Sequence, residues 1–147
     1  QQTHIEPVII SWGWHDDGSF IAKNQKQGTR DPAAYLTIPA AIAFQRDHDW
    51  DAVRAHCHTL IAGAHERLST LLNRPPIAPV SWFGQMLTAA LPSCDPEVIK
   101  TRLYDDFGVE LPVLRWKNGE YLRVSVQGYN TLEDLDRLYK ALAEIFA

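Results

Sequence analysis

The chain has 147 residues, of which 46% are hydrophobic and 22% charged, and its formal net charge is −4. These values are typical of a globular protein, and they exclude the basic patch that nucleic acid requires and an apolar run long enough to span a membrane. The amino end lacks the basic-then-apolar layout of a signal peptide, so we expect a cytoplasmic protein with two reduced cysteines. Because the sequence begins at Gln1 rather than at Met, we also expect a processed chain or part of a longer one.

The first third of the chain combines an apolar segment with a long polar one. Residues 5–12 form a β-branched apolar run that predicts a buried strand or extended segment, and the glycine-rich residues 13–28 predict a long loop. Asp31 and Pro32 then predict a helix start, with the carboxylate as N-cap and the proline at the first helical position. Pro39 is expected to kink or split that helix.

The middle of the chain contains the strongest periodic pattern. Apolar residues recur at helical spacing from residue 49 to residue 72 and predict one long amphipathic helix. Residues 80–92 are strand-like, and Phe83, Met86 and Leu87 are the expected core residues of this segment.

The last third predicts a helix, a hairpin and a second helix. Asp95-Pro96 begins the first helix and Gly108 ends it. Two alternating runs around the dipeptide at 118–119 predict a β-hairpin, with Arg123 on the outer face of its second strand. Thr131 resembles the first residue of a capping box and predicts a final amphipathic helix.

This order of elements predicts an α+β fold, a small antiparallel sheet with helices packed on one face, plus an amino-terminal extended segment. The first third has no partner strand of its own, so the segment that would complete its layer is expected to lie outside this chain.

Histidines and cysteines suggest a metal or thiol site, but their spacing argues against both. His56 and His58 point to different sides of a helix, and His58 and His65 lie about 10 Å apart along its axis, too far to share one ion. Cys57 belongs to the apolar stripe, and Cys94 has no base placed beside it. We therefore predict no metal site and no nucleophilic cysteine.

Two other places remain as candidate binding sites. Gly28 and Thr29 offer amides and a hydroxyl ahead of the helix that Asp31 begins, which suits either ordinary capping or a bound phosphate. Arg123 offers a planar guanidinium in the middle of a strand, which suits either solvent exposure or a bidentate contact with a carboxylate. The residues by themselves leave both pairs of alternatives open.

Taken together, these two places resemble a known family. The segments QGTRDPAAYLTIPAAIAF at 27–44 and LRVSVQGYNTLEDLDRL at 122–138 look like the carboxyl-terminal portion of class V, fold-type-I pyridoxal-phosphate-dependent enzymes. The isopenicillin N epimerase-like branch, related to the cysteine desulfurases, is the best match. The resemblance covers nearly the whole chain and implies pyridoxal phosphate as the cofactor of the complete enzyme.

The resemblance assigns roles residue by residue. It implies that Gly28 and Thr29 bind the cofactor phosphate of the neighbouring subunit in a homodimer. Arg123 matches the arginine of the pattern R-x-S-x-x-x-Y-N-T, which pairs with the α-carboxylate of the substrate. Trp14 and His15 lie in a segment, residues 13–26, that resembles the lining of the active-site mouth.

Other parts of the family pattern are missing from this sequence. The resemblance implies a Schiff-base lysine in a cofactor domain that would precede this chain, and none of the lysines has the matching context: Lys23, Lys26, Lys100, Lys117, Lys140. It thus implies that residues 1–38 are the tail of the large domain, that residues 39–147 form the small domain, and that this chain alone has no catalytic residue and is inactive. Tyr129, Asn130 and Thr131 are interpreted as a turn and a helix cap.

The resemblance also narrows the reaction. It implies an amino-acid-like substrate and an epimerase, a C–S lyase or an aminotransferase, since no cysteine lies between residues 105 and 122, where a desulfurase carries its nucleophile. The alternative is a non-enzymatic interaction module that binds a partner through apolar surface left exposed.

Overall fold

A computed structural model of the chain describes residues 1–10, 18–25 and 28–147. Contacts divide the chain into two compact units, Gln1–Gln45 and Arg46–Ala147. The division falls within a helix, a few residues after the boundary at 38–39 that the sequence suggested. The assignment of the two parts to a large and a small domain stays a prediction.

In the first unit, the apolar residues that follow a short 3-10 turn at Gln2–His4 form no strand. Between positions 5 and 10 most side chains are exposed, with Val8 at 96% and Ile10 at 75% of their maximal accessible surface. The expectation of a buried strand is therefore wrong for this stretch, since a strand needs a neighbouring backbone to pair with and the described part of this unit contains none. Residues 11 and 12 lie outside the described residues.

Helix α1, Phe20–Gln25, lies where a long loop was predicted. The hydroxyl of Ser19 accepts a hydrogen bond from the amide of Ala22 at 3.1 Å, which caps the first turn. The loop interpretation is thus wrong over these six residues. A serine cap followed by helix-compatible residues outweighs the polar composition of the surrounding segment.

The helix predicted after Asp31 is split, as Pro39 indicated. Helix α2 spans Ala33–Leu36 and helix α3 spans Ile38–Asp47, with the break at Thr37. Helix α2 begins one residue later than predicted, with Pro32 instead of Asp31 as its N-cap residue, although the carboxylate of Asp31 accepts a hydrogen bond from the amide of Ala33 at 2.9 Å.

The second unit contains two helices and a strand before the hairpin and one helix after it. Their bounds are α4, Trp50–Leu71; β1, Met86–Ala90; α5, Pro96–Phe107; β2, Val113–Trp116; β3, Gly119–Ser125; and α6, Leu132–Ile145. A 3-10 turn, Val80–Trp82, precedes β1. No helix in the described ranges is both long enough and apolar enough to cross a membrane.

The three strands form one antiparallel sheet in the order β1-β3-β2. Residues of alternate positions on β3 and just after it, Leu122, Val124 and Val126, are buried on the inner face. Helix α4 packs on β1 and α5 on β2, and α6 packs against both helices. The predicted α+β class, a small antiparallel sheet with helices on one face, is confirmed.

Strand β1 corrects one expected core residue. Leu87 is buried and Phe83 packs against the core, but Met86 is 49% exposed. Because side chains of a strand alternate between its faces, the inward position of Leu87 turns Met86 outward.

The hairpin forms as predicted, with its turn one residue earlier. Trp116 pairs with Gly119, so the two-residue turn consists of Lys117 and Asn118, with Lys117 at a positive φ of 53°. The glycine is needed for space, because a Cβ at position 119 would lie 2.7 Å from the hydroxyl of Tyr121.

Helix α5 begins and ends, and helix α6 begins, where the sequence indicated. Asp95 caps α5 by accepting the amide of Glu97 at 3.0 Å, and Gly108 ends it at a φ of 62°. At the start of α6, the amide of Thr131 donates to Oδ2 of Asp134 at 3.0 Å, which is one half of a capping box.

Candidate functional site

Arg123 lies on β3 at the position where β2 stops pairing with this strand, so the described sheet has only two strands beyond it. The backbone amide of Arg123 donates to the carbonyl of Pro112 at 3.0 Å, but the register of β2 on β3 ends at the pair Val113 and Leu122. Strand β3 runs on to Ser125 with a partner only on the β1 side. This difference in strand length opens a cleft beside the end of β3.

The cleft has a volume of about 280 Å³. Its walls are the loop at 108–112, the end of β3 and the first two turns of α6. This volume lies near the lower end of the range of about 300–1,000 Å³ that is usual for small-molecule sites. The cleft is therefore large enough for a small polar molecule.

Two guanidinium groups line this cleft, those of Arg123 and Arg137. Both side chains are exposed, and within the described residues neither forms an ion pair or a side-chain hydrogen bond. Two cations without protein partners in one cleft are available for a negatively charged ligand.

Two carboxylates line the cleft, those of Asp134 and Glu110. The carboxylate of Asp134 accepts hydrogen bonds in the N-terminal cap of α6. Its Oδ2 accepts from the amide of Thr131 at 3.0 Å and from the side-chain amide of Asn130 at 3.3 Å. These hydrogen bonds, and then the positive charge of Arg137, lower the pKa of Asp134 below the usual value. The group is therefore an anion at neutral pH. Glu110, the second carboxylate, is exposed and also borders a neighbouring cleft.

The turn before α6 fixes the geometry of this end of the cleft. Oδ1 of Asn130 accepts from the amide of Gln127 at 2.9 Å, and the amide of Asn130 donates to the carbonyl of Gln127 at 2.9 Å. Tyr129 is 82% exposed at the tip of the turn. This geometry agrees with the interpretation of residues 129–131 as a turn and a cap.

Gly28 and Thr29 lie in the first unit, whereas Arg123 lies in the second. Gly28 has a φ of 101°, a conformation that favours glycine, and Thr29 is exposed. In the described ranges the Thr29 hydroxyl has no hydrogen-bond partner, while the guanidinium of Arg30 donates to the carbonyl of Gln25 at 3.0 Å. The exposed hydroxyl thus has the free donor that a phosphate contact requires.

The histidines of α4 contact backbone carbonyls. Nδ1 of His58 lies 3.1 Å from the carbonyl of Gly84, and Nε2 of His65 lies 3.0 Å from that of Ala78. Among the residues that the structure describes, no group of three or more His, Cys, Asp and Glu side chains is arranged to hold a metal ion. The described geometry therefore gives these histidines a structural role.

The two cysteines lie in different environments. Cys57 is fully buried in the core. Burial, and then the negative charge of Glu120, raise the pKa of the Cys94 thiol. The thiolate fraction of Cys94 is thus reduced, which agrees with the prediction that it is inert.

A second groove, of about 580 Å³, lies between α4 and α6, but its arginine already has partners within the protein. The guanidinium of Arg67 sits 4.6 Å from the ring centre of Tyr139 and 4.0 Å from the carboxylate of Asp136. We therefore regard the smaller cleft with its unpaired arginines as the better candidate site.

Reasoning from the sequence found Arg123 but missed Arg137 and Glu110. Asn130, Asp134 and Arg137 follow one another at spacings of four and three residues, and helical spacing places such residues on one side of a helix. That pattern, counted from the Thr131 cap, could have drawn attention to Arg137. The sequence candidates Trp14 and His15 lie outside the described residues.

Comparison with known proteins gives a consistent set of relatives. The chain is 32% identical, over 96% of its length, to an isopenicillin N epimerase of Amycolatopsis lactamdurans and 29% identical, over 94%, to that of Streptomyces clavuligerus. It is 30% identical, over 82%, to a putative L-cysteine desulfhydrase of Oryza sativa subsp. japonica. The matches cover 39%, 39% and 30% of these relatives, so the chain spans less than half of their length. No protein-family model matches the chain.

Proposed function

We propose that this chain supplies the substrate carboxylate site of a pyridoxal-phosphate-dependent enzyme. The chain belongs, as a carboxyl-terminal portion, to the isopenicillin N epimerase-like branch of the class V, fold-type-I enzymes that use this cofactor. The substrate is an amino-acid-like small molecule. The observation that carries the proposal is the unpaired guanidinium of Arg123 in a cleft of about 280 Å³.

The position of Arg123 suits a carboxylate anchor. It lies on the central strand of the sheet, whose backbone is held on one side by β1 and at Arg123 itself by the carbonyl of Pro112. A rigid backbone fixes the base of the side chain, and the planar guanidinium then offers two parallel N–H groups to a carboxylate. Arg123 would therefore orient the substrate while the reaction takes place at its α-carbon.

Gly28 and Thr29 are proposed to contact the phosphate of pyridoxal phosphate, across the interface of a homodimer. The exposed Thr29 hydroxyl and the glycine backbone fit a phosphate oxygen, which accepts hydrogen bonds and carries none of its own. When bound, the cofactor acts as an electron sink that makes the Cα–H of an amino acid acidic. The residues of this chain would bind the phosphate and the carboxylate and so position the substrate.

We propose that the complete protein is an epimerase, a C–S lyase or an aminotransferase located in the cytoplasm. The names of its relatives include an epimerase and a desulfhydrase. Persulfide chemistry of the desulfurase type is disfavoured, because residues 105–122 contain no cysteine and the pKa of Cys94 is raised. The present chain alone is proposed to be inactive, since the cofactor-binding lysine and its domain would belong to the remainder of the protein.

The proposal predicts that Arg123→Gln removes carboxylate binding from this chain. Butyrate titrated into the 15N-labelled chain should shift the Arg123 Nε–H resonance, and the substitution should weaken binding about tenfold or more, since a hydrogen bond between charged groups contributes about 1.5–3 kcal/mol. Arg123→Lys, which keeps the charge but loses the fork, should give an intermediate affinity.

Arg102→Gln provides the matched control, because Arg102 lies outside the cleft and pairs with Asp106. Equal butyrate affinity in Arg123→Gln and in the unmodified chain would contradict the proposal. Mixing the chain with pyridoxal phosphate should give no visible band of a lysine-bound cofactor. Such a band would show that a lysine of this chain is functional.

A second candidate, a non-enzymatic interaction module, is supported by the exposed apolar side chains of the first unit. Val8, Ile10 and Leu36 are 96%, 75% and 73% exposed. Exposed apolar surface of this kind promotes association. Sedimentation that depends on concentration would support this candidate, and a constant monomer mass would oppose it.

A further inference from the structure

We propose that Arg137 is a second anion-binding residue of the same cleft and selects ligands that carry two negative groups. This inference rests on the proposed function, because it takes Arg123 as the anchor of the first carboxylate. It specifies the substrate class as an amino-acid-like compound with a second carboxylate at the far end of a short aliphatic chain.

The start of α6 places Arg137 in the cleft. Thr131 and Asp134 form the capping box, and Arg137 follows Asp134 by three residues, so both side chains lie on the side of the helix that lines the cleft. Leu135 and Leu138, on either side, are buried in the core. The buried leucines hold the helix in place, and the capping box fixes where it begins.

Two guanidinium groups and two carboxylates, those of Glu110 and Asp134, line the cleft, and a dianion can pair with both guanidinium groups. Arg123 and Arg137 are exposed and unpaired in the described part of the chain, and two like charges that share a small cleft repel each other. The carboxylate of Asp134 already accepts hydrogen bonds from Thr131 and Asn130. A ligand with one carboxylate satisfies one guanidinium and leaves the other unpaired.

The surface between the two guanidinium groups suits an aliphatic linker. Val109 and Leu111, partly buried and packed against the core, and Leu138 line the cleft together with the arginines. Apolar atoms in this position would contact methylene groups of a ligand and exclude water from them. The cleft volume of about 280 Å³ restricts the ligand to a short chain.

Glutarate and butyrate are suitable probes, because they differ mainly in the second carboxylate. Each would be titrated into the 15N-labelled chain, with the Nε–H resonances of Arg123 and Arg137 as the readout. The unmodified chain should bind glutarate about tenfold more tightly than butyrate, the difference expected for one added charge-assisted contact. Glutarate should shift both resonances, and butyrate should shift that of Arg123.

Arg137→Gln should abolish the preference for glutarate over butyrate. Lys140→Gln is the matched control, because it removes one positive charge from the same helix at a residue that does not line this cleft. Should Arg137→Gln fail to give a folded chain by NMR dispersion, Arg137→Lys serves instead and should reduce the preference in part.

The possible results separate this inference from the proposed function. Three results would overturn the role of Arg137. They are equal affinity of the unmodified chain for glutarate and butyrate, a preference for glutarate that persists in Arg137→Gln, and an equal loss of that preference in Lys140→Gln. Butyrate binding that survives Arg123→Gln would overturn the proposed function instead. Failure of both acids to shift Arg123 would contradict both.

Discussion

The same Asp-Pro dipeptide lies at the start of two helices, α2 and α5, which differ in length and in the number of residues they bury. In α2 the carboxylate of Asp31 accepts the amide of Ala33 at 2.9 Å, and in α5 that of Asp95 accepts the amide of Glu97 at 3.0 Å. Helix α2 ends after four residues and buries none of them, whereas α5 continues for 12 residues and buries Ile99 and Leu103. In both helices an aspartate accepts an early amide, but Pro39 interrupts the first helix after one turn, whereas α5 continues and packs an apolar face against the core.

The two units of the chain show the same contrast on a larger scale. Apart from Pro7, the buried residues of the described structure lie between Cys57 and Leu142, in the second unit. Helices α1, α2 and α3 bury no residue. Apolar composition alone therefore did not give the first unit a core, because its side chains have no packed layer to enter.

The largest expected difference between α5 and α2 comes from replacing one leucine of each helix by alanine. Leu103→Ala in α5 should lower the free energy of unfolding by about 2–5 kcal/mol, because a fully buried side chain leaves a cavity. Leu36→Ala in α2, at 73% exposure, should change it by less than about 0.5 kcal/mol. Urea denaturation followed by circular dichroism measures both values.

Leu114→Ala on the outer face of β2 is a control for the loss of an exposed leucine in the second unit, since Leu114 is 38% exposed. A loss of several kcal/mol in Leu36→Ala would show that the first unit contributes to the cooperative core, and the contrast between the units would then be wrong.

A smaller effect is expected from removing the two caps. Asp95→Ala should destabilise the protein by about 1 kcal/mol, the usual value for an N-cap of a helix that is folded with the core. Asp31→Ala should leave the global transition unchanged, because α2 contributes no buried residue to it. Equal losses of the free energy of unfolding in Asp95→Ala and Asp31→Ala would show that the effect of a cap does not depend on whether its helix packs against the core.

The smallest effect concerns the cap of α6. Its hydrogen bonds hold the pKa of Asp134 below the usual value, so the folded protein binds fewer protons at this group than the unfolded chain. The stabilisation is complete above the unfolded pKa of about 4 and is lost as the pH falls through the lower folded value. Asp134→Asn should therefore make the free energy of unfolding less dependent on pH between about 5 and 2.5.

Asp105→Asn is a suitable comparison for this pH series, because Asp105 accepts no hydrogen bond in the described residues. The two variants would be unfolded in urea at each pH. If the free energy of unfolding decreases at acid pH in Asp134→Asn as much as in the unmodified chain, then the capping hydrogen bonds do not bias the protonation of this carboxylate.

Part of the candidate site could be derived from the sequence. The alternation of residues around Arg123 predicted its outward orientation on a hairpin strand, and the residues after it predicted a turn and a cap. The cleft could not be derived in this way, because it depends on where β2 stops pairing with β3 and on how α6 lies beside that end. The proximity of Arg137 to the same cleft is a consequence of that packing.

Errors of the sequence interpretation have the same origin. Residues 5–10 have the composition of a strand but form none in the described structure, and Met86 is apolar but faces outward. Residues 20–25 lie in a polar, glycine-rich segment but form a helix, because a single serine hydroxyl caps the first turn. Composition describes what a segment could bury, whereas pairing and face are set by neighbours distant in sequence.

The sequence by itself determined the elements that depend on local interactions: the capped starts of α5 and α6, the glycine that ends α5, and the hairpin with its alternating faces. These follow from hydrogen bonds and backbone preferences within a few residues. The tertiary structure alone decided which helices packed against a core, which apolar residues were buried, and which two arginines came to line one cleft. The reason is that burial and charge proximity depend on distances between residues far apart in the chain, which the order of residues does not contain.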